Sequence, residues 1–188
     1  MSKKLKSAFI IMGHEDRCAL PDGNAEMVGA VSLDDAVEKA AALKAAGCDF
    51  IELCGAFNED MARKVASAAD NSIPVGYITH LPEQDELFSK IWAPGKKTSF
   101  AFVIMGHTGR ACFKDGCTNI VGVTSMDDAV EKAKALADEG IECIEVCGAF
   151  GPDGAKKLIE ASGGKMGVGY TVNLPELMPL AAQLFGKK

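Results

Sequence analysis

Residues 8–83 and 101–176 are two copies of one sequence, offset by 93 without a gap and with half of the paired positions identical. One supersecondary pattern therefore has to serve twice, and any proposed architecture must be buildable from two equal parts. Ala8-Phe9 returns as Ala101-Phe102, Ile11-Met12-Gly13-His14 as Ile104-Met105-Gly106-His107, and Asp34–Ala40 as Asp127–Ala133. With 188 residues in all, each copy is near the lower size limit for an independent core. The expected organisation is a first repeat over 1–92, a linker over 93–98 and a second repeat over 99–188. The halves are expected to pack as one pseudo-two-fold unit.

Apolar residues make up 48%, aromatic residues 6%, and there are 20 glycines. That balance suits a parallel α/β protein built from small and branched aliphatics. The net charge of −6 comes without a basic block, which argues against nucleic acid and anionic membrane as partners, since both need concentrated Lys and Arg. The basic start Met1–Lys6 is followed by an apolar run too short for a signal-peptide core, so a cytoplasmic location is expected. Seven cysteines, an odd number with several in apolar strand-like runs, predict reduced thiols rather than a disulfide framework. Cys112 and Cys117 do not have zinc-ribbon spacing.

Each copy alternates between strand and helix periods. Ser7–Met12 and Phe100–Met105 read as buried strands, and Glu26–Val31 and Asn119–Thr124 as second strands interrupted by glycine. Ser32 and Ser125 then cap helices whose first turns hold paired aspartates. Gly47 and Gly140 end those helices. Strands follow at Phe50–Cys54 and Cys143–Cys147, helices begin near Asn58 and Pro152, strands run over Pro74–Thr79 and Gly167–Val172, and Pro82 and Pro175 open third helices. The pattern is α/β, β-β-α-β-α-β-α twice, with mainly parallel strands. Eight strands joined by crossovers fit either a TIM-barrel-like closure of two half-barrels or open sheets sandwiched by helices.

Through Phe-Ile-Ile-Met-Gly, Ile-Glu-Leu-Cys-Gly-Ala-Phe, Val-Gly-Tyr and Leu-Pro-Glu-Gln-Asp-Glu-Leu-Phe, each half resembles a family of small prokaryotic proteins known only as a domain of unknown function. The resemblance implies a tandem duplication and brings no activity. A weaker likeness, from Val121-Gly122-Val123 through Asp127-Asp128-Ala129, Ile144-Glu145-Val146 and Gly167-Val168-Gly169 to Pro175-Glu176, is to ketodeoxyphosphogluconate-type aldolase barrels. That likeness would put Glu52 and Glu145 at the place of a catalytic glutamate. The Schiff-base lysine such aldolases need has no counterpart in any strand proposed here.

In parallel α/β folds functional groups gather at the carboxyl ends of strands. That edge should carry His14, Arg17, Glu52, Cys54, Tyr77 and His80 in the first copy, and His107, Arg110, Glu145, Cys147 and Tyr170 in the second. Glu52 and Glu145 each lie inside an apolar strand, so each must face a polar cavity or be paired. They are either general acid/base groups or partners of Arg17 and Arg110. His14 with Arg17, and His107 with Arg110, are spaced to meet an anion or to brace a loop. Cys54 and Cys147 are nucleophiles, soft ligands or packing groups, and Tyr77 and Tyr170 are packed or ligand-facing. The backbone amides at Gly55-Ala56-Phe57 and Gly148-Ala149-Phe150 can hold an anion or merely form a turn. His80 becomes Asn173 in the second copy, either because only one site needs a second imidazole or because the position caps a helix.

These residues suit acid/base chemistry of lyase or isomerase type on a small anionic metabolite: Glu52, Glu145, His14, His107 and His80 move protons, and Arg17, Arg110, Tyr77, Tyr170, Cys54 and Cys147 bind ligand. A binding or assembly module without catalysis, with self-association, is the alternative, and a metal-dependent enzyme a third. No pattern names a cofactor or a metal.

Overall fold

A computed structural model describes residues 4–185; Met1–Lys3 of the basic start lie outside the described residues. The helix signals act locally, as their chemistry predicts. Ser32 Oγ accepts from the Asp35 amide at 3.1 Å and opens α1 (Leu33–Ala45), and Ser125 does the same with Asp128 for its counterpart (Met126–Asp138). In return Asp35 accepts from the Val31 amide (2.9 Å) and from Lys39 (2.7 Å). Asp128 accepts from Thr124 (2.7 Å) and Lys132 (3.2 Å). Each reciprocal cap satisfies donors at a helix start that would otherwise have no partner. Gly47 at φ +81° and Gly140 at φ +86° take the left-handed turn that ends these helices.

The chain forms two compact units. The first gathers the chain up to Ala19, Gly23–Ile78 and the chain from Thr171 onward. Its strands are β1 (Ser7–Met12), β2 (Arg17–Ala19), β3 (Ala25–Ala30), β4 (Phe50–Leu53) and β5 (Val75–His80, as far as Ile78), in the order β2-β3-β1-β4-β5. All pair in parallel except β2, a short antiparallel edge strand on β3. Helix α1 packs on β1 and β3, and α2 (Glu59–Ala68) packs on α1. Their buried faces are largely alanine (Ala36, Ala40, Ala62, Ala66), which lets the helices approach closely.

The second unit comprises Leu20–Asp22 and Thr79–Tyr170. It holds α3 (Asp85–Ile91), β6 (Phe100–Met105), β7 (Arg110–Cys112), β8 (Thr118–Val123), α4 (Met126–Asp138), β9 (Cys143–Val146), α5 (Gly151–Ala161) and the start of β10 (Gly167–Asn173). The order β10-β9-β6-β8-β7 repeats the first unit's pattern, again with a short antiparallel edge strand. Phe9 in one sheet and Phe102 in the other are wholly buried, each worth about 1.5–3 kcal/mol of transfer free energy.

The duplicated, mainly parallel α/β architecture is the one the sequence predicts, with one addition. The polar stretch after the first strand of each copy contains β2 or β7, three residues each, too short to leave a periodic signal. The third helices also begin later than Pro82 and Pro175 suggest. A single 3₁₀ turn comes first, Pro82–Gln84 before α3 and Pro175–Leu177 before α6 (Met178–Phe185).

The units do not coincide with the repeats. The third helix of the first repeat, α3, lies in the second unit, and α6 lies in the first. A Cβ on Gly167 would meet Ile91 Cδ1 at 2.7 Å and Phe88 at 3.3 Å, so α3 sits directly on the start of β10. Gln84, before α3, donates from Nε2 to the Met166 carbonyl (3.1 Å) and accepts from the Val168 amide (2.9 Å). On the other side Phe185 of α6 packs edge-on against Phe50 of β4, ring centroids 5.0 Å apart. No helix among the described residues is long and apolar enough to cross a membrane. None of the seven cysteines forms a disulfide.

Candidate functional site

At the carboxyl end of the first unit's strands, β1 stops at Met12 and the chain turns at Gly13, φ +86°. His14 then crosses β3 at Gly29. A Cβ there would come within 2.6 Å of the His14 carbonyl carbon and oxygen, and the Gly29 amide donates to the Asp16 carbonyl at 2.7 Å. The glycine that interrupts the second strand's apolar run is thus the residue that admits the histidine loop. Gly122 does the same for His107, where a Cβ would lie 2.7 Å from the His107 carbonyl carbon.

Cys54 continues the β1–β4 ladder one step past β4. Its amide donates to the Ile10 carbonyl (3.1 Å) and its Sγ accepts from the Met12 amide at 3.4 Å. Cys147 repeats both contacts with Val103 and Met105. Both thiols are buried. In each unit the sulfur satisfies a backbone donor where the strand ends.

Glu52 and Glu145 are 3% and 1% exposed. Glu52 is level with Phe9 and Gly76, and Glu145 with Phe102 and Gly169. In the first unit Tyr77 reaches Glu59 of α2, so by strand alternation Glu52 and Gly76 lie on the face away from that helix. Oε2 of each glutamate is buried without a hydrogen bond, although each residue has polar or electrostatic interactions of its own. Along β1, Glu52 is level with Phe9, and Gly29, which His14 crosses, is level with Ile11, so the histidine loop lies two residues, about 7 Å, nearer the carboxyl edge.

In the second unit His107 is 7% exposed, and its Nδ1 lies 3.0 Å from Asp22 Oδ2. Asp22 comes from the Leu20–Asp22 loop, whose Pro21 presses on Gly109 at β7, where a Cβ would approach Pro21 Cδ to 2.9 Å. Sequence reading missed Asp22: 85 residues separate it from its partner, and Pro-Asp-Gly reads simply as a turn.

The arginines take a different course from the one expected. Arg17 lies on β2, and its Nε donates to Glu26 at 2.5 Å, near the start of β3, the opposite end from His14. Glu26 raises the guanidinium's pKa by accepting this bond. Arg110 donates from Nε to Asn119, the counterpart of Glu26, at 3.0 Å and from Nη1 to Glu139 at 2.6 Å. The carboxylates these contacts engage are Glu26 and Glu139, so the ion pair with Glu52 or Glu145 considered from sequence is not the one formed here. Clefts of about 200 Å³ and 180 Å³ flank Arg17, one reaching Lys39 and the other Lys6 and Cys48.

Tyr77 donates to Glu59 Oε2 at 3.1 Å. Burial first, and then this carboxylate, raise the phenol's pKa. Glu59 and Glu176 both bind Arg63, beside an open cleft of about 650 Å³ lined by Ser67, Asn71 and Leu180. Tyr170 is half-buried in β10. His80 does not cap a helix: Leu81 and Gln84 hold the cap positions, without side-chain cap bonds. Its Nε2 instead lies 3.0 Å from Asp85, and its ring stacks on Phe88 at 4.1 Å. Among the described residues no group of three or more His, Cys, Asp or Glu is placed to hold a metal ion, and no strand carries a lysine.

No curated protein matches the chain in sequence. Among solved structures, an NtrC family transcriptional regulator from Clostridium acetobutylicum aligns at 14% identity over 97% of this chain and 95% of its own, with a TM-score of 0.33. GanP, a glucose-galactose binding protein from Geobacillus stearothermophilus, aligns at 14% identity over 99% and 93%, with a TM-score of 0.32. Likenesses this distant carry no argument about activity. The family model, by contrast, matches twice, over residues 5–93 and 98–186, and together with the internal repeat it places the chain in the family of unknown function DUF6506, as a tandem duplication of that domain.

Proposed function

We propose that this protein handles a small polar metabolite at the carboxyl edge of its strands, with His107 as the proton-transfer group of the second unit. The observation that supports this is the buried contact of His107 with Asp22. An imidazole whose Nδ1–H is held on a carboxylate keeps one orientation and one tautomer, and presents Nε2 as a base that can take a proton and return it. Proton removal and return is the chemistry of lyases and isomerases. Glu145 lies deeper on the same strands and is the candidate second acid/base group, reached through a ligand rather than by direct contact. Arg110 is engaged by Asn119 and Glu139, so this reading does not require an anionic substrate.

A non-catalytic reading also has support: Pro21 against Gly109 makes the His107–Asp22 contact a latch for the Leu20–Asp22 loop. One experiment separates the two. Small hydroxy and keto compounds are screened by thermal shift, and each binder is incubated in deuterated water with wild-type, His107→Gln and Asp22→Asn protein. Carbon-bound hydrogen exchange or conversion that His107→Gln abolishes while binding persists supports proton transfer, and Asp22→Asn, which loosens the ring's orientation, should slow it. Binding without exchange in the wild type leaves the latch.

A further inference from the structure

The exchange of third helices makes each compact unit a product of both repeats. From the first repeat, the second unit receives the Leu20–Asp22 loop and everything from Thr79 through α3. These segments are anchored there by Phe88 and Ile91 on Gly167, by both ends of the Gln84 amide, and by Asp22 on His107. The first unit receives the second repeat from Thr171 onward. It holds that segment through the Leu174 amide on the Val75 carbonyl (3.3 Å), Glu176 on Arg63 (2.9 Å) and Phe185 on Phe50. Gly76 is part of the fit, since a Cβ there would overlap Thr171 Cγ2.

We propose that the two repeats are binding partners in their own right. Each recognises the C-terminal segment of a second repeat, and the linker that joins them is not needed to hold them together. The surface in question is the sheet end that a repeat's own third helix leaves uncovered, and the partner it fits is another copy of the same domain. Anchors run in both directions, so dissociation has to break two separate sets of contacts. The linker, in contrast, is exposed from Pro94 to Lys97 and lies wholly inside the second unit. Cutting it breaks no strand or helix, and the one side-chain contact drawn from those four residues is Lys96 with Glu142.

The test uses the whole chain with a protease site placed between Pro94 and Lys97, cleaved after folding. At roughly 1 μM, where specific interfaces of ordinary size persist, the two fragments should co-elute and unfold in one transition. The midpoint of that transition should rise with concentration, as mass action requires. Gln84→Ala and, separately, the milder Phe185→Ala should each weaken association of the cut fragments, the former by about 10-fold or more, while the uncut variants stay folded. Fragments that separate at that concentration, folded or unfolded, would overturn the proposal. So would a cut Gln84→Ala protein with an affinity within about twofold of the cut wild type.

Discussion

Replacing Gln84 by leucine puts into the first repeat the residue its counterpart, Leu177, already has in the second. The exchange is close in size and stays in a helical context, so its cost isolates the amide. Gln84 is 3% exposed, and its two bonds satisfy the Met166 carbonyl and the Val168 amide at the start of β10, where both residues are buried. Leucine leaves those two backbone groups without partners in an apolar setting, at about 1–3 kcal/mol each. Burial of the leucine side chain returns about 1–2 kcal/mol. The expected net loss is about 2–3 kcal/mol, or roughly 5–10 °C in Tm for a chain of this size. Scanning calorimetry reads the midpoint, and amide hydrogen exchange should show Val168 losing protection ahead of the β6 and β9 amides. A midpoint within about 1 °C of wild type, with Val168 still protected, would refute the claim that this amide holds the strand edge.

Gly122→Ala should cost about 1–3 kcal/mol by overpacking, because its Cβ meets backbone of His107 and Thr108; NMR of the His107 ring should show the Asp22 contact disturbed, and an undisturbed ring would count against the close fit. Asp35 and Asp128 are held below the usual carboxylate range, Asp35 first by Lys39 and Asp128 first by the Thr124 amide. A depressed folded value means the stabilisation is present above the unfolded carboxylate's pKa of about 3.9 and is lost as pH falls through the folded value. Asp35→Asn should therefore lower stability at pH 7 and flatten its decline in acid, as urea titrations at several pH values would show; a decline as steep as wild type would contradict this. Burial pushes the Cys48 thiol up to about 11, so alkylation near neutral pH followed by mass spectrometry should label the exposed Cys112 well before Cys48.

The candidate site was legible in the sequence where its causes are local. Cys54 reads as a small residue in an apolar strand, and its sulfur does close the ladder beside Met12. Glu52 and Glu145 stand out as acids inside apolar runs, and they are buried. Direction was harder to read. The spacing of His14 and Arg17 suggests one anion site, yet β2 is an antiparallel strand, and the Arg17 side chain follows it back to Glu26. The edge strand leaves Arg17 level with Val28, beside the Gly29 that His14 crosses, but aims its guanidinium at Glu26, three residues from that glycine toward the amino end of β3.

Sequence by itself determined the duplication, and also the order of the longer strands and helices, the serine caps with their answering aspartates and the glycine turns, because these last rest on patterns and contacts within a few residues along the chain. Only the tertiary structure decided which sheet each third helix covers, that Asp22 meets His107, and that Gln84 completes β10. These choices join segments far apart in sequence. With half the paired positions identical, the two repeats offer a third helix nearly equivalent surfaces, and no local signal can say which of two such surfaces it will take.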